Sequence, residues 1–133
     1  ALNDYTRAIT INRKPDLVTC DSYKNKARLL SKLGRHQEAI DDLSKLIELD
    51  DSDDDAMRLR GDEYKFLNQF SKAIADYSKA IEASPQYARS SYESRAVAYD
   101  ALGKSDLAEK DRQSARKLEQ TQAEKPVFES KSE

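Results

Sequence analysis

One layout of residues recurs three times at a spacing of 34 or 35, and that period restricts the chain to architectures that stack copies of one small unit. Met57, Gly61 and Tyr64 have counterparts 34 residues earlier at Tyr23, Ala27 and Leu30, and 35 residues later at Tyr92, Ala96 and Tyr99. A second set keeps the same step: Ala39 and Leu46, then Ala73 and Ala80, then Ala108 and Ala115. Apolar positions within each set fall at helical spacing, and turn residues lie between the sets at Gly34, near Asn68-Gln69, and at Gly103. Each copy therefore reads as two helices joined by a turn. Such a pair cannot bury its apolar stripes alone, so neighbouring copies must cover one another.

Composition agrees with this layering. Hydrophobic residues make up 38% of the 133 and charged residues 36%, which confines the apolar side chains to narrow helix stripes. Three Gly and three Pro leave few places for a helix to break, so an all-α chain is expected. A net charge of −2 excludes a strongly basic nucleic-acid binder. The single Cys20 can close no internal disulfide, and the single His36 argues against a zinc site. No apolar run reaches the length of a membrane span, and no signal-peptide core is visible. With no glycine-rich loop and no nucleophile motif, neither catalysis nor a cofactor is expected.

The period also sets expected boundaries. Residues 1–14 open with Ala1-Leu-Asn-Asp-Tyr5-Thr-Arg-Ala8, which parallels Ala73-Ile-Ala-Asp-Tyr77-Ser-Lys-Ala80 and reads as the second helix of a truncated repeat. Three full repeats follow at 15–52, 53–86 and 87–119, with helices expected at about 18–33, 35–49, 53–67, 70–83, 87–102 and 105–119. Residues 120–133 are polar and read as a mobile tail. Arg112 stands where the earlier second helices place Leu43 and Tyr77, as a polar outer face at the end of an array would require. Ala27, Gly61 and Ala96 are expected to let paired helices approach closely, with Ala39, Ala73 and Ala108 opposite. Tyr23, Tyr64, Tyr77, Tyr92 and Tyr99 are expected in the core.

In this register the chain resembles the tetratricopeptide repeat family. The family's motif positions fall on Met57, Arg60, Gly61, Tyr64, Ala73, Tyr77 and Pro85 in the middle copy, with matching sets at Tyr23–Leu43 and Tyr92–Arg112. The resemblance covers about residues 1–118. It implies a right-handed α-α superhelix (a solenoid) and a protein–protein interaction scaffold that receives an extended segment or helix of a partner in its concave groove. The first helices line that groove, and Lys24, Asn25, Arg28, Arg58, Asp62 and Lys65 are the candidate peptide-binding residues. Its N-terminal side is basic, which points to an acidic peptide.

Some members of the family hold the terminal carboxylate of heat-shock chaperones in a clamp of Lys, Asn and Arg. Lys24 matches the opening Lys, but Arg28, Leu59, Ser90 and Ser94 stand at the other clamp positions, so that clamp is not expected. Self-association through the incomplete N-terminal repeat (Leu2, Tyr5, Ile9) is a rival reading, as is the targeting arm of a larger enzyme or chaperone-linked protein. Asp51, Asp53 and Asp55 have the alternate spacing of a calcium loop, but Ala56 replaces its glycine and Asp62 its glutamate. Capping of the helix that starts near Asp53 is the better account.

Overall fold

Between the helices of each pair the chain turns through one residue in the left-handed conformation: Gly34 at φ 77°, Asn68 at φ 61° and Gly103 at φ 75°. That conformation folds a following N–H back onto the helix it closes. Arg35 N donates to Leu30 O at 2.8 Å, Gln69 N to Tyr64 O at 2.8 Å and Lys104 N to Tyr99 O at 2.9 Å. Gly adopts this backbone without a Cβ penalty, and Asn is its usual substitute.

The computed structural model describes residues 17–123. Among them are six α-helices and no strand: α1 Leu17–Lys32, α2 His36–Leu49, α3 Asp54–Phe66, α4 Phe70–Ala83, α5 Arg89–Ala101 and α6 Ser105–Ala123. The helix expected within 1–14 and the polar stretch beyond Ala123 lie outside the described residues. Two boundaries differ from expectation by more than one residue. Pro85–Tyr87 forms a separate 3-10 turn, with Tyr87 N on Ser84 O at 3.0 Å and Ala88 N on Pro85 O at 3.3 Å, so α5 starts only at Arg89. At the other end α6 runs on to Ala123. Its last turns meet the 3-10 segment and α5 through Gln122 Nε2 on Gln86 O at 3.4 Å and the Arg89–Glu119 ion pair at 3.2 Å.

Each helix packs on the next in sequence, α1 through α6, and the first helices of successive pairs also touch one another. The result is an all-α solenoid with α1, α3 and α5 forming one layer. Its core is built across pairs. Tyr23, Ala27, Leu30, Ala39, Leu43, Leu46 and Ala56 form one buried cluster, and Ala56 belongs to the next pair. Small residues sit at the closest approaches: Ala27, Ala39, Ala73, Ala96 and Ala108 are buried. Gly61 faces Tyr77. Of the tyrosines expected in the core, Tyr23 and Tyr77 are buried, whereas Tyr64, Tyr92 and Tyr99 are half-buried. Arginine accounts for the difference. The Arg60 guanidinium lies 5.9 Å from the Tyr64 ring, and that of Arg95 lies 5.6 Å from Tyr92 and 5.7 Å from Tyr99, so these rings end against a charged plane.

Those arginines are clasps between helices. Arg60 on α3 donates through Nε and Nη2 to both oxygens of Asp76 on α4, each at 2.8 Å, and through Nη1 to Ser44 Oγ on α2 at 3.0 Å. Arg95 repeats this one pair later, with Asp111 on α6 at 2.7 Å twice and Ser78 on α4 at 2.9 Å. A planar guanidinium matches a carboxylate edge and still has a donor left for the hydroxyl, which ties three helices at one point. In the first pair Lys26 and Asp42 hold the equivalent positions. The ammonium lies 3.2 Å from Asp42 Oδ2, but that buried oxygen receives no well-aligned hydrogen bond. Sequence reading placed Arg60 in the repeat pattern and missed the clasp. The signal was there: Lys26, Arg60 and Arg95 share one step, and Asp42, Asp76 and Asp111 share it too.

Candidate functional site

The layer formed by α1, α3 and α5 is the candidate binding face. Its polarity follows from how the core is filled: α2 and α4 direct Leu43 and Tyr77 inward, while the opposite sides of α1 and α3 carry charge. Of the six sequence candidates, Lys24 is the least available. Its ammonium sits 2.9 Å from Asp53 Oδ2 and 3.9 Å from Asp55, with 14% of the side chain exposed. Asp53 also caps α3, accepting from Ala56 N at 3.1 Å. Asn25 is exposed and its Oδ1 accepts from Arg28 Nη1 at 3.2 Å. Arg58 lies 3.4 Å from Asp55 and 3.8 Å from Asp62. Asp62 is held from below, because the Tyr77 hydroxyl donates to its Oδ1 at 2.5 Å. Burial pushes the Tyr77 phenol well above its ordinary range, and the Asp62 carboxylate beside it adds to this. Lys65 has no carboxylate partner among the described residues.

A cavity of about 250 Å³ opens between α1 and α3. Leu43, Leu59 and Ala27 line its inner part, Phe66 its outer part, and Arg28, Ser31, Lys32, Asp62 and Glu63 complete it. Leu59 belongs to this apolar lining and packs against the first core cluster, so it offers a carboxylate no donor. In the observed repeat the equivalents of Lys24 are Arg58 and Glu93, and those of Arg28 are Asp62 and Val97. Glu63 is nearly buried and meets His36 Nδ1 at 2.6 Å, while the His36 ring stacks on Phe66 with centroids 5.1 Å apart. No sequence signal singled out this junction between the first and second pairs, since a lone His offers none.

Charge on the face is unevenly spent. Asp62 and Glu63 already have partners, whereas Arg28 and Lys32 meet no carboxylate among the described residues. At the far end, Val97 is exposed between ion pairs that satisfy their own charges: Arg89 with Glu93 and Glu119, and Arg112 with Asp100. A third grouping, Cys20, Asp50 and Asp53, lies near the start of α3 with ligand atoms within 4.8 Å of one another. The Lys24 ammonium already occupies Asp53 there, and burial followed by the Asp53 and Asp50 carboxylates pushes the Cys20 thiol up.

The tetratricopeptide repeat model matches residues 21–53 and 56–87. Sperm-associated antigen 1 of Rattus norvegicus is 33% identical over 81 residues, and that of Mus musculus 32% over 81. Each alignment covers 61% of this chain and 8% of the relative, so the chain spans under a tenth of the length of these curated proteins. Among solved structures, MamA superposes with a TM-score of 0.82 at 24% identity, over 92% of this chain and 68% of that one. The first tetratricopeptide domain of Spaghetti (RPAP3), solved bound to the HSP90 peptide SRMEEVD, superposes with a TM-score of 0.74 at 28% identity, over 81% of this chain and 85% of that one. The first such domain of human RPAP3 gives a TM-score of 0.72 at 29% identity, over 75% and 78%.

Proposed function

Given that this chain belongs to the tetratricopeptide repeat family, we propose that it is a non-catalytic scaffold that holds an extended segment or helix of a partner protein on the face formed by α1, α3 and α5. The observation that carries this reading is the cavity of about 250 Å³ between α1 and α3, with an apolar interior and a charged rim, where the Arg60 clasp ties α3 to α2 and α4. A face so held loses little freedom when a ligand arrives, and that is the physical advantage of a solenoid as a receptor. The RPAP3 domain with a peptide bound adds support, because it aligns with most of this chain. Chemistry for catalysis is poorly supplied: the one His is engaged by Glu63 and the one Cys is a buried thiol. Unpaired cations on the rim favour an acidic partner segment.

A peptide array tests the proposal, using acidic internal and carboxyl-terminal peptides against the folded chain. The comparison variant carries Arg28→Glu and Lys65→Glu, two exposed or half-exposed positions whose change should leave helicity intact by circular dichroism. Binding by the parent and loss in the variant is the expected result. An array on which nothing binds, or on which the variant binds equally well, would remove the inner face as the site.

A further inference from the structure

Charges around the α1–α3 cavity are unequally paired. Two carboxylates line it, and both already meet groups of the chain itself: Asp62 lies 3.8 Å from Arg58 and accepts from the Tyr77 hydroxyl at 2.5 Å, and Glu63 meets His36 Nδ1 at 2.6 Å. Two cations line it, and among the described residues neither Arg28 nor Lys32 meets a carboxylate; Arg28 reaches only the neutral Asn25. A hydrogen bond from a neutral phenol leaves Asp62 its charge, so the rim is balanced in count, but Arg28 and Lys32 are the charges on it with no opposite charge in contact among the described residues. The interior is apolar, lined by Leu43 and Leu59, with the ring of Phe66, which is 64% exposed, at its outer part. A volume of about 250 Å³ is enough for one large side chain and too small for a packed helix.

Resting on the scaffold reading above, we infer that this cavity anchors an internal acidic segment of a partner protein, which inserts one large apolar side chain between Leu59 and Phe66 and sets its carboxylates against Arg28 and Lys32. A free chain terminus is not required. The positions equivalent to Lys24 and Arg28 on α5 are Glu93 and Val97, and the cation beside them, Arg89, is already paired with Glu93 and Glu119. Removing the apolar side chain leaves the cavity unfilled, and removing the acids gives up the attraction to Arg28 and Lys32, so both elements contribute.

The test uses a labelled probe, acetylated and amidated, of alternating Asp and Glu around one central Phe, with fluorescence anisotropy as the readout. Companion probes replace the Phe by Ala, replace the acids by Lys, or carry a free carboxyl terminus. The expected result is saturable binding of the first probe, at least tenfold weaker binding of the Ala probe, and none of the Lys probe. Chain variants Phe66→Ala and, separately, Arg28→Glu with Lys32→Glu should each weaken the first probe at least tenfold. Raising the salt should weaken it as well. A free-acid probe that binds tenfold more tightly than the amide would overturn the inference in favour of terminal-carboxylate recognition. So would mass that grows with concentration and is lost on Phe66→Ala, since the occupant would then be a second copy. If array peptides bind the inner face but are indifferent to Phe66→Ala and to the charge reversals, the anchor is wrong and the scaffold stands. If no peptide binds at all, both fall.

Discussion

Gly61 lies directly against the ring of Tyr77: a Cβ at residue 61 would stand 2.8 Å from Tyr77 Cε1 and 3.0 Å from Cδ1. The other two pairs carry Ala at this point, Ala27 and Ala96, and their residues equivalent to Tyr77 are Leu43 and Arg112. The size of the small residue thus follows the shape of what it meets. Tyr77 is fully buried and its hydroxyl is fixed on Asp62, so the ring cannot swing away.

Gly61→Ala should therefore destabilise the chain by about 1–3 kcal/mol, the usual cost of overpacking, despite the gain in helix propensity. Adding Tyr77→Leu recreates the Ala27–Leu43 combination of the first pair. The double variant should recover part of the loss, and a double-mutant cycle by urea denaturation measures it. Additive effects would show that the two positions do not meet.

The clasps predict a reciprocal exchange. Arg60→Lys keeps a charge beside buried Asp76 but gives up the bidentate contact and the bond to Ser44, and should cost about 1–2 kcal/mol. Lys26→Arg should do the reverse, because Asp42 Oδ2 is buried without a well-aligned donor, and should stabilise by about 1 kcal/mol. Arg60→Ala leaves Asp76 buried and unpaired and should be the worst of the three, at about 3–5 kcal/mol. Thermal or urea unfolding ranks them. An ordering in which Lys26→Arg is the most damaging would contradict the geometry.

Asn68 gives the smallest and cleanest test. It holds φ 61° at a turn where the other two pairs use Gly34 and Gly103 at φ 77° and 75°. Asn68→Gly should stabilise by a few tenths to about 1 kcal/mol, by relieving the left-handed strain of a side chain. Gly34→Ala should destabilise by about 1 kcal/mol through φ alone, since nothing lies within 4 Å of the added Cβ. A rise in the unfolding midpoint for the first and a fall for the second is the expected pair of outcomes.

These residues also mark what the sequence could reveal. The period of 34 and 35 gave the helix pairs, because the near-equal spacing of Tyr23, Met57 and Tyr92 is a property of order along the chain. Gly34 and Gly103 were legible as turns for the same reason. The 3-10 segment at Pro85–Tyr87 was not, because an extra residue between repeats can be absorbed in more than one way. The site was legible only as a face. Whether a cation on that face is free depends on what stands opposite it in space, and spacing does not report this. Lys24 and Arg28 lie one turn apart on α1, yet one is held by Asp53 and the other meets no carboxylate among the described residues. Glu63 and His36, separated by a turn and two helices, form a contact that neither residue's neighbours predict.

Alkaline pH should weaken the fold, and Tyr77 is the group that tests why. Burial, reinforced by Asp62, raises the Tyr77 phenol above its unfolded value; burial and then Asp42 raise Tyr23, and burial and then Asp53 raise Cys20. For each, the folded state holds its proton more tightly than the unfolded chain does. Their contribution is complete below the unfolded values of about 8.5 for Cys and about 10 for Tyr, and is lost as pH rises through the folded ones. The urea midpoint should therefore hold steady from about pH 7 to 8 and fall between about pH 9 and 11. Tyr77→Phe removes the phenol that titrates. Its midpoint should start lower near neutral pH, because Asp62 loses its donor, and should then fall less steeply in the alkaline range. An equally steep fall in the variant would assign the alkaline loss to other groups and remove Tyr77 as its source.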